Sequence, residues 1–178
     1  MKITLDDLHV LYTEEQLKTR IKDLAEELNE YYKDEKDIYL VCVLKGSVMF
    51  FTELVQHLTI PLRMEFIRLS SYGSDYTSSG TVKAVNLSLP DINGENVLII
   101  EDIIDTGHTA KFLLDYLAHN FKTKSTKFCA LLDKKSKRTE PVNADFSGFV
   151  VEDKFLVGYG LDFDGFYRNI PYIGYVDV

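Results

Sequence analysis

Three carboxylates and a glycine turn crowd the stretch "VLIIEDIIDTGHTA" (Val97–Ala110): Glu101, Asp102 and Asp105, followed by Thr106, Gly107 and Thr109. The apolar residues before them read as a buried strand, and those after them as the start of a helix. Backbone N–H groups at a helix start lack intrahelical partners, and the helix dipole favours an anion there. Gly107 permits a sharp turn, and the two threonines add hydroxyl donors, so Asp105–Thr109 reads as a phosphate cradle. It is not a Walker loop, because neither G-x-x-x-x-G-K-[ST] nor G-x-G-x-x-G occurs in the chain. A sugar phosphate held there would bring its ribose beside Glu101 and Asp102. Carboxylates suit vicinal hydroxyls, directly or through Mg²⁺. A solvated strand end could also carry such acids, but adjacent paired acids behind a four-residue apolar strand favour a ligand.

The surrounding elements must aim this loop. In "TEEQLKTRIKDLAEELNEYY", Thr13 is an N-cap candidate with Gln16 completing a capping box, and Leu17, Ile21, Leu24, Ala25 and Leu28 recur at helical spacing. "IYLVCVL" (Ile38–Leu44) is a continuous apolar run of strand length, the pattern of a strand covered on both faces. "VMFFTELVQHL" reads as a helix, "LRMEFIRL" and "TKFCALL" as strands. "TAKFLLDYLAHNF" reads as a helix with a stripe of Ala110, Leu113, Leu114, Leu117, Ala118 and Phe121. Strands alternating with helices predict an α/β fold with a mainly parallel twisted sheet flanked by helices. Two segments break the rhythm. The polar Ser70–Thr81 is rich in serine and glycine and reads as a loop. The aromatic, glycine-punctuated C-terminal part reads as short strands and turns near one end of the sheet.

The 178 residues are read as one domain (1–178), long enough to form a core without a disulfide or metal staple. A net charge of −8 argues against a protein that coats nucleic acid or an anionic membrane. No apolar run reaches membrane-spanning length and the N-terminus lacks a signal-peptide core, so the chain is expected in the cytoplasm. Cys42 and Cys129 sit in apolar runs and read as small core residues. The four histidines show no zinc-ligand spacing.

"VLIIEDIIDTGHT" closely resembles the phosphoribosyl-pyrophosphate (PRPP) motif of the type I phosphoribosyltransferases, and its E-D-I-I-D-T-G form looks like the hypoxanthine-guanine branch. "VCVLKGS" resembles the family's pyrophosphate loop, which implies pyrophosphate contacts at Lys45 and Gly46 and a cis Leu44–Lys45 peptide. "LSSYGSDYTSSG" resembles the catalytic loop, with Ser71 and Tyr72 as its recurrent pair. "LLDKKSKR" resembles the strand end where a lysine, here Lys134, reads a purine 6-oxo group; Lys135, Lys137 and Arg138 read as solvated charges. "DKFLVGYGLDFDGFYRNIPYIG" resembles the purine pocket. There the likeness implies Phe155 stacking on the base, the Leu156 main chain reading its edge, Asp162 holding a second Mg²⁺, and Arg168 contacting the leaving group. Phe163 and Tyr172 read as core. The matches run in order from about Val41 to Gly174, and the first forty residues add little to them.

The resemblance implies transfer of ribose 5-phosphate from PRPP to N9 of hypoxanthine or guanine, with pyrophosphate released. Asp105 would be the general base, and Glu101, Asp102 and Asp162 the metal ligands. Glu101, Asp102, Asp105, Thr106, Gly107, His108 and Thr109 would surround the phosphoribosyl group, although His108 stands at a variable position of the motif and carries no assigned role. It also implies a small hood over the sheet, formed mainly by residues 145–178 with part of the N-terminus, and a homodimer or homotetramer. Three rivals remain: a xanthine-preferring transferase, a catalytically silent PRPP-sensing regulator, and, more remotely, a phosphatase or kinase using Asp105. The regulator reading is weakened because the chain shows no added nucleic-acid-binding domain or basic stripe.

Overall fold

The computed structural model describes residues 4–71 and 82–176. Its main sheet has six strands. β2 (Ile38–Leu44), β3 (Leu62–Ser71), β5 (Asn96–Ile104), β6 (Ser125–Asp133) and β7 (Phe146–Val150) are parallel, and β4 (Val82–Asn86) pairs antiparallel with β3 at one edge. The spatial order is β4-β3-β2-β5-β6-β7. The chain thus builds outward from β2 to β3, then restarts on the other side of β2 with β5. That reversal leaves a crevice beyond the carboxyl ends of β2 and β5, the place where open α/β sheets bind ligands.

Strand pleating sends alternate residues to opposite faces. Ile38, Leu40 and Cys42 pack with helices α1 (Glu14–Tyr31) and α2 (Val48–His57). Tyr39, Val41 and Val43 pack with α3 (His108–Asn120) on the other face. α1 has the expected capping box, with the Gln16 amide donating to Thr13 Oγ1 at 3.2 Å, and it buries the five apolar residues of its predicted stripe. On α3 the stripe is narrower than expected. Ala110, Leu113 and Leu117 are buried, whereas Ala118, one step round the helix from Leu117 on the flank of the stripe, is exposed.

A second sheet, β1 (His9–Tyr12), β9 (Ile173–Val176) and β8 (Phe155–Val157), is antiparallel and corresponds to the part of the chain for which the likeness implies a hood. It has its own core of Leu8, Val157, Phe163, Ile170 and Val176. The hood therefore begins later than residue 145: Phe146–Val150 is the outermost parallel strand of the main sheet. Arg20 of α1 fastens that strand by donating to the carbonyls of Ser147 and Gly148, each at 2.8 Å.

Candidate active site

β5 is longer than its apolar run suggested. Pairing with β6 continues through Glu101 to Ile104, so Glu101 and Asp102 belong to the strand itself and are held by its ladder. Glu101 is buried, and burial, followed by repulsion from Asp102 and Asp105, holds its carboxyl well above the usual carboxylate range. Burial likewise pushes Asp102 up to about 6, against hydrogen bonds from backbone amides and the positive field of Arg168. Among the described residues neither acid has a salt-bridge partner.

Asp102 lies against the turn that ends β2. The Leu44–Lys45 peptide is cis, as the likeness implied. A side chain at Gly46 would collide with the Asp102 carboxylate, so a larger residue there would have to displace that acid. A β-carbon on Gly160 of the hood would in turn strike the Gly46 carbonyl, and Gly160 has a φ of +101°. Arg168 closes this chain of contacts, donating from Nη1 to the Gly160 carbonyl at 2.6 Å and pairing through Nη2 with Asp162 at 2.5 Å. Asp162 also accepts from the Gly165 amide at 2.7 Å. Lys45, Gly46, Asp102, Asp162 and Arg168 are thereby gathered at the mouth of the crevice.

The loop from Asp105 to Thr109 leads directly into α3, with Gly107 as N-cap in the left-handed region (φ +89°). The Asp105 carboxylate accepts from the Thr106 amide at 2.6 Å and from Thr106 Oγ1 at 3.3 Å. The loop's donors thus already accommodate an anionic oxygen. His108 turns aside, its Nδ1 lying 2.9 Å from Glu140 Oε1.

The base-side residues meet on the adjoining strand. Lys134, just beyond β6, donates to the Lys154 carbonyl at 2.7 Å and lies 3.6 Å from Asp153. This sets its ammonium immediately before Phe155. The Phe155 ring meets Phe163 edge-on at 5.5 Å, while Leu156 is buried with its backbone paired to Tyr175. Phe163 is core, as expected, and Tyr172 packs half-buried against the hood. Ser71 ends β3; Tyr72 and the rest of the expected catalytic loop lie outside the described residues.

Sequence reasoning missed the segment after Lys134. Arg138 is not a solvated charge: its guanidinium pairs with the buried Asp133 and reaches three backbone carbonyls. A run of five cationic or polar residues gives no sign of which one turns inward. Gly160 carried a weak signal, the "GYG" spacing in an aromatic segment. Among the described residues no three His, Cys, Asp or Glu side chains assemble into a metal cage, and no helix is long and apolar enough to cross a membrane.

A parallel sheet with a switch-point crevice, an anion loop at a helix start and paired acids beside it define a phosphosugar-binding α/β domain. The chain belongs to the phosphoribosyl transferase domain family, whose model matches residues 9–164. It is 45% identical over 170 residues to the hypoxanthine-guanine phosphoribosyltransferase of Aquifex aeolicus, spanning 96% of this chain and 95% of that one. It is 43% identical to the hypoxanthine-guanine-xanthine phosphoribosyltransferase of Tritrichomonas foetus, over 96% of this chain and 92% of that protein. Among solved structures it is similar to a hypoxanthine phosphoribosyltransferase from Staphylococcus aureus, with a TM-score of 0.90, 38% identity, and coverage of 97% and 93% of the two chains.

Proposed function

We propose that the protein transfers the 5-phosphoribosyl group of PRPP to N9 of hypoxanthine or guanine, giving IMP or GMP and pyrophosphate in purine salvage. The observation that carries the reading is the convergence at one switch point of the anion loop, the buried acids, the Lys45–Gly46 turn and Lys134 beside Phe155. The phosphate binds the amides and hydroxyls of Asp105 to Thr109, and the ribose hydroxyls face Glu101 and Asp102. Mg²⁺ suits this donor set: the two acids are desolvated oxygen donors with no salt-bridge partner among the described residues, and Mg²⁺ is ordinarily held by one or two carboxylates plus substrate phosphates. Glu101 and Asp102 would hold one Mg²⁺ and Asp162 a second, which would neutralise charge on the pyrophosphate.

The chain's own groups do the rest. Arg168 offsets the charge that develops on the departing pyrophosphate, a kind of contact whose loss costs about 3 kcal/mol. The exposed Asp105 carboxylate takes the purine N7 proton. Phe155 stacks on the base and the Leu156 main chain reads its edge. Lys134 donates to the 6-oxo group. Adenine presents a 6-amino donor in its place and is rejected, because a buried donor left unpaired discriminates steeply. Both cysteines are free and buried, which fits a reducing cytoplasm. The exposed apolar Met64 and Phe66 on β3 fit assembly into a homodimer or homotetramer.

A preference extended to xanthine is the second reading, favoured by the similarity to the T. foetus enzyme. The test is pyrophosphate release from PRPP and Mg²⁺ with hypoxanthine, guanine, xanthine or adenine offered separately. Turnover with the first two and none with adenine is expected. Turnover with xanthine above both selects the second reading, and turnover with no base leaves a PRPP-sensing regulator.

A further inference from the structure

We infer that Arg138 is a positioning residue that sets the spacing between the phosphate loop and the base-reading lysine, an inference that rests on the transferase reading above. The side chain is only 11% exposed. Its Nε donates to the Asp105 carbonyl at 2.9 Å and its Nη1 to the Val142 carbonyl at 2.5 Å. Its Nη2 reaches the Ile104 carbonyl at 3.2 Å and Asp133 Oδ1 at 2.5 Å. Ile104 and Asp105 open the phosphate loop, and Asp133 is the last residue of β6, immediately before Lys134. The Lys134 amide already joins the two halves through the Ile104 carbonyl at 2.9 Å, and one planar guanidinium extends that link to Asp105 and Asp133, a task that its fixed fork of donors suits and a lysine's single ammonium does not.

The tie also orients the loop. In a trans peptide the C=O and the following N–H point in opposite directions. With the carbonyls of Ile104 and Asp105 turned to Arg138, and that of Thr106 turned to the amides of Thr139 and Glu140 at 3.0 and 3.1 Å, the next N–H groups are turned away from the clamp, and that of Thr106 meets the Asp105 carboxylate at 2.6 Å. A nucleotide carries its phosphate and base at a fixed separation. Rigid spacing between the two subsites raises the effective concentration at which the second half meets its pocket once the first is bound.

The experiment measures calorimetric affinities of inosine 5′-monophosphate, inosine and ribose 5-phosphate for the wild type, Arg138→Lys and Thr139→Val. The last variant removes only the 3.2 Å bond from Thr139 Oγ1 to the Thr106 carbonyl and keeps the guanidinium in place, so it reads the cost of loosening the loop's carbonyls without disturbing the packing around Asp133. Arg138→Lys is expected to lose ~10-fold or more in affinity for the nucleotide, of the order seen when supporting groups around a site are removed. The two fragments should lose much less, and Thr139→Val should show a smaller loss of the same pattern. Equal losses for nucleotide and fragments, or a lower Tm with all affinities kept, would make Arg138 a structural brace and overturn the inference. Wild-type turnover of PRPP, measured in parallel, separates the two levels: its absence sinks the transferase reading, whereas its presence with unchanged variants sinks only the role of Arg138.

Discussion

Asp105 is the exposed member of the three acids, and it is the one whose carboxylate can meet a proton on the bound base. Replacing it with asparagine keeps the size and the loop hydrogen bond but removes the basicity. Asp105→Asn is expected to lower kcat by roughly 100-fold or more, the usual range for a general base, while KM for PRPP changes far less. Equal losses in both would make Asp105 a binding group instead. The cysteines carry a contrasting expectation. Burial pushes the Cys42 thiol up to about 11 and raises Cys129 further. The thiolate is the reactive species, so at pH 8 both stay protonated in the folded protein. A thiol-titrating reagent should count no fast-reacting thiols at pH 8 in native protein and two after denaturation, and rapid native reaction would contradict their placement. Both residues were legible as core from their apolar neighbours. Arg138 was not, because its inward turn depends on Asp133 and on carbonyls that only the folded chain assembles.

The helices and strands were legible where periodicity was strong and the ends were marked. The limits of β2 and the stripe of α1 follow from an uninterrupted apolar run and a capping box. Because that box satisfies otherwise orphaned donors at the exposed start of α1, Thr13→Ala should cost about 1 kcal/mol, read as a lower urea midpoint with unchanged transferase kinetics. Loss of activity without loss of stability would show that the N-terminal segment serves the site directly. β5 was only half legible: its apolar run ends at Ile100, yet pairing with β6 carries the strand through Ile104. β4 was missed because its pairing partner, β3, supplies the register that its short mixed sequence lacks.

The described chain is an α/β sheet with a second, smaller sheet whose Gly160 turn meets Gly46, and its candidate site is shared by segments far apart in sequence. The motif order along the chain was legible, since each motif sits at the end of a strand or the start of a helix. The hood boundary was not: "FSGFV" mixes apolar residues with a serine and a glycine, and only its pairing with β6 assigns it to the main sheet. Close contacts between Gly160 and Gly46 were equally hidden, because proximity of two backbones leaves no compositional trace. The most direct test of the account is a crystal structure of the protein soaked with inosine 5′-monophosphate. The account predicts the phosphate against the amides of Thr106 to Thr109, the ribose beside Glu101 and Asp102, and the base between Phe155 and Lys134; a nucleotide bound elsewhere, or bound with its phosphate away from that loop, would contradict it.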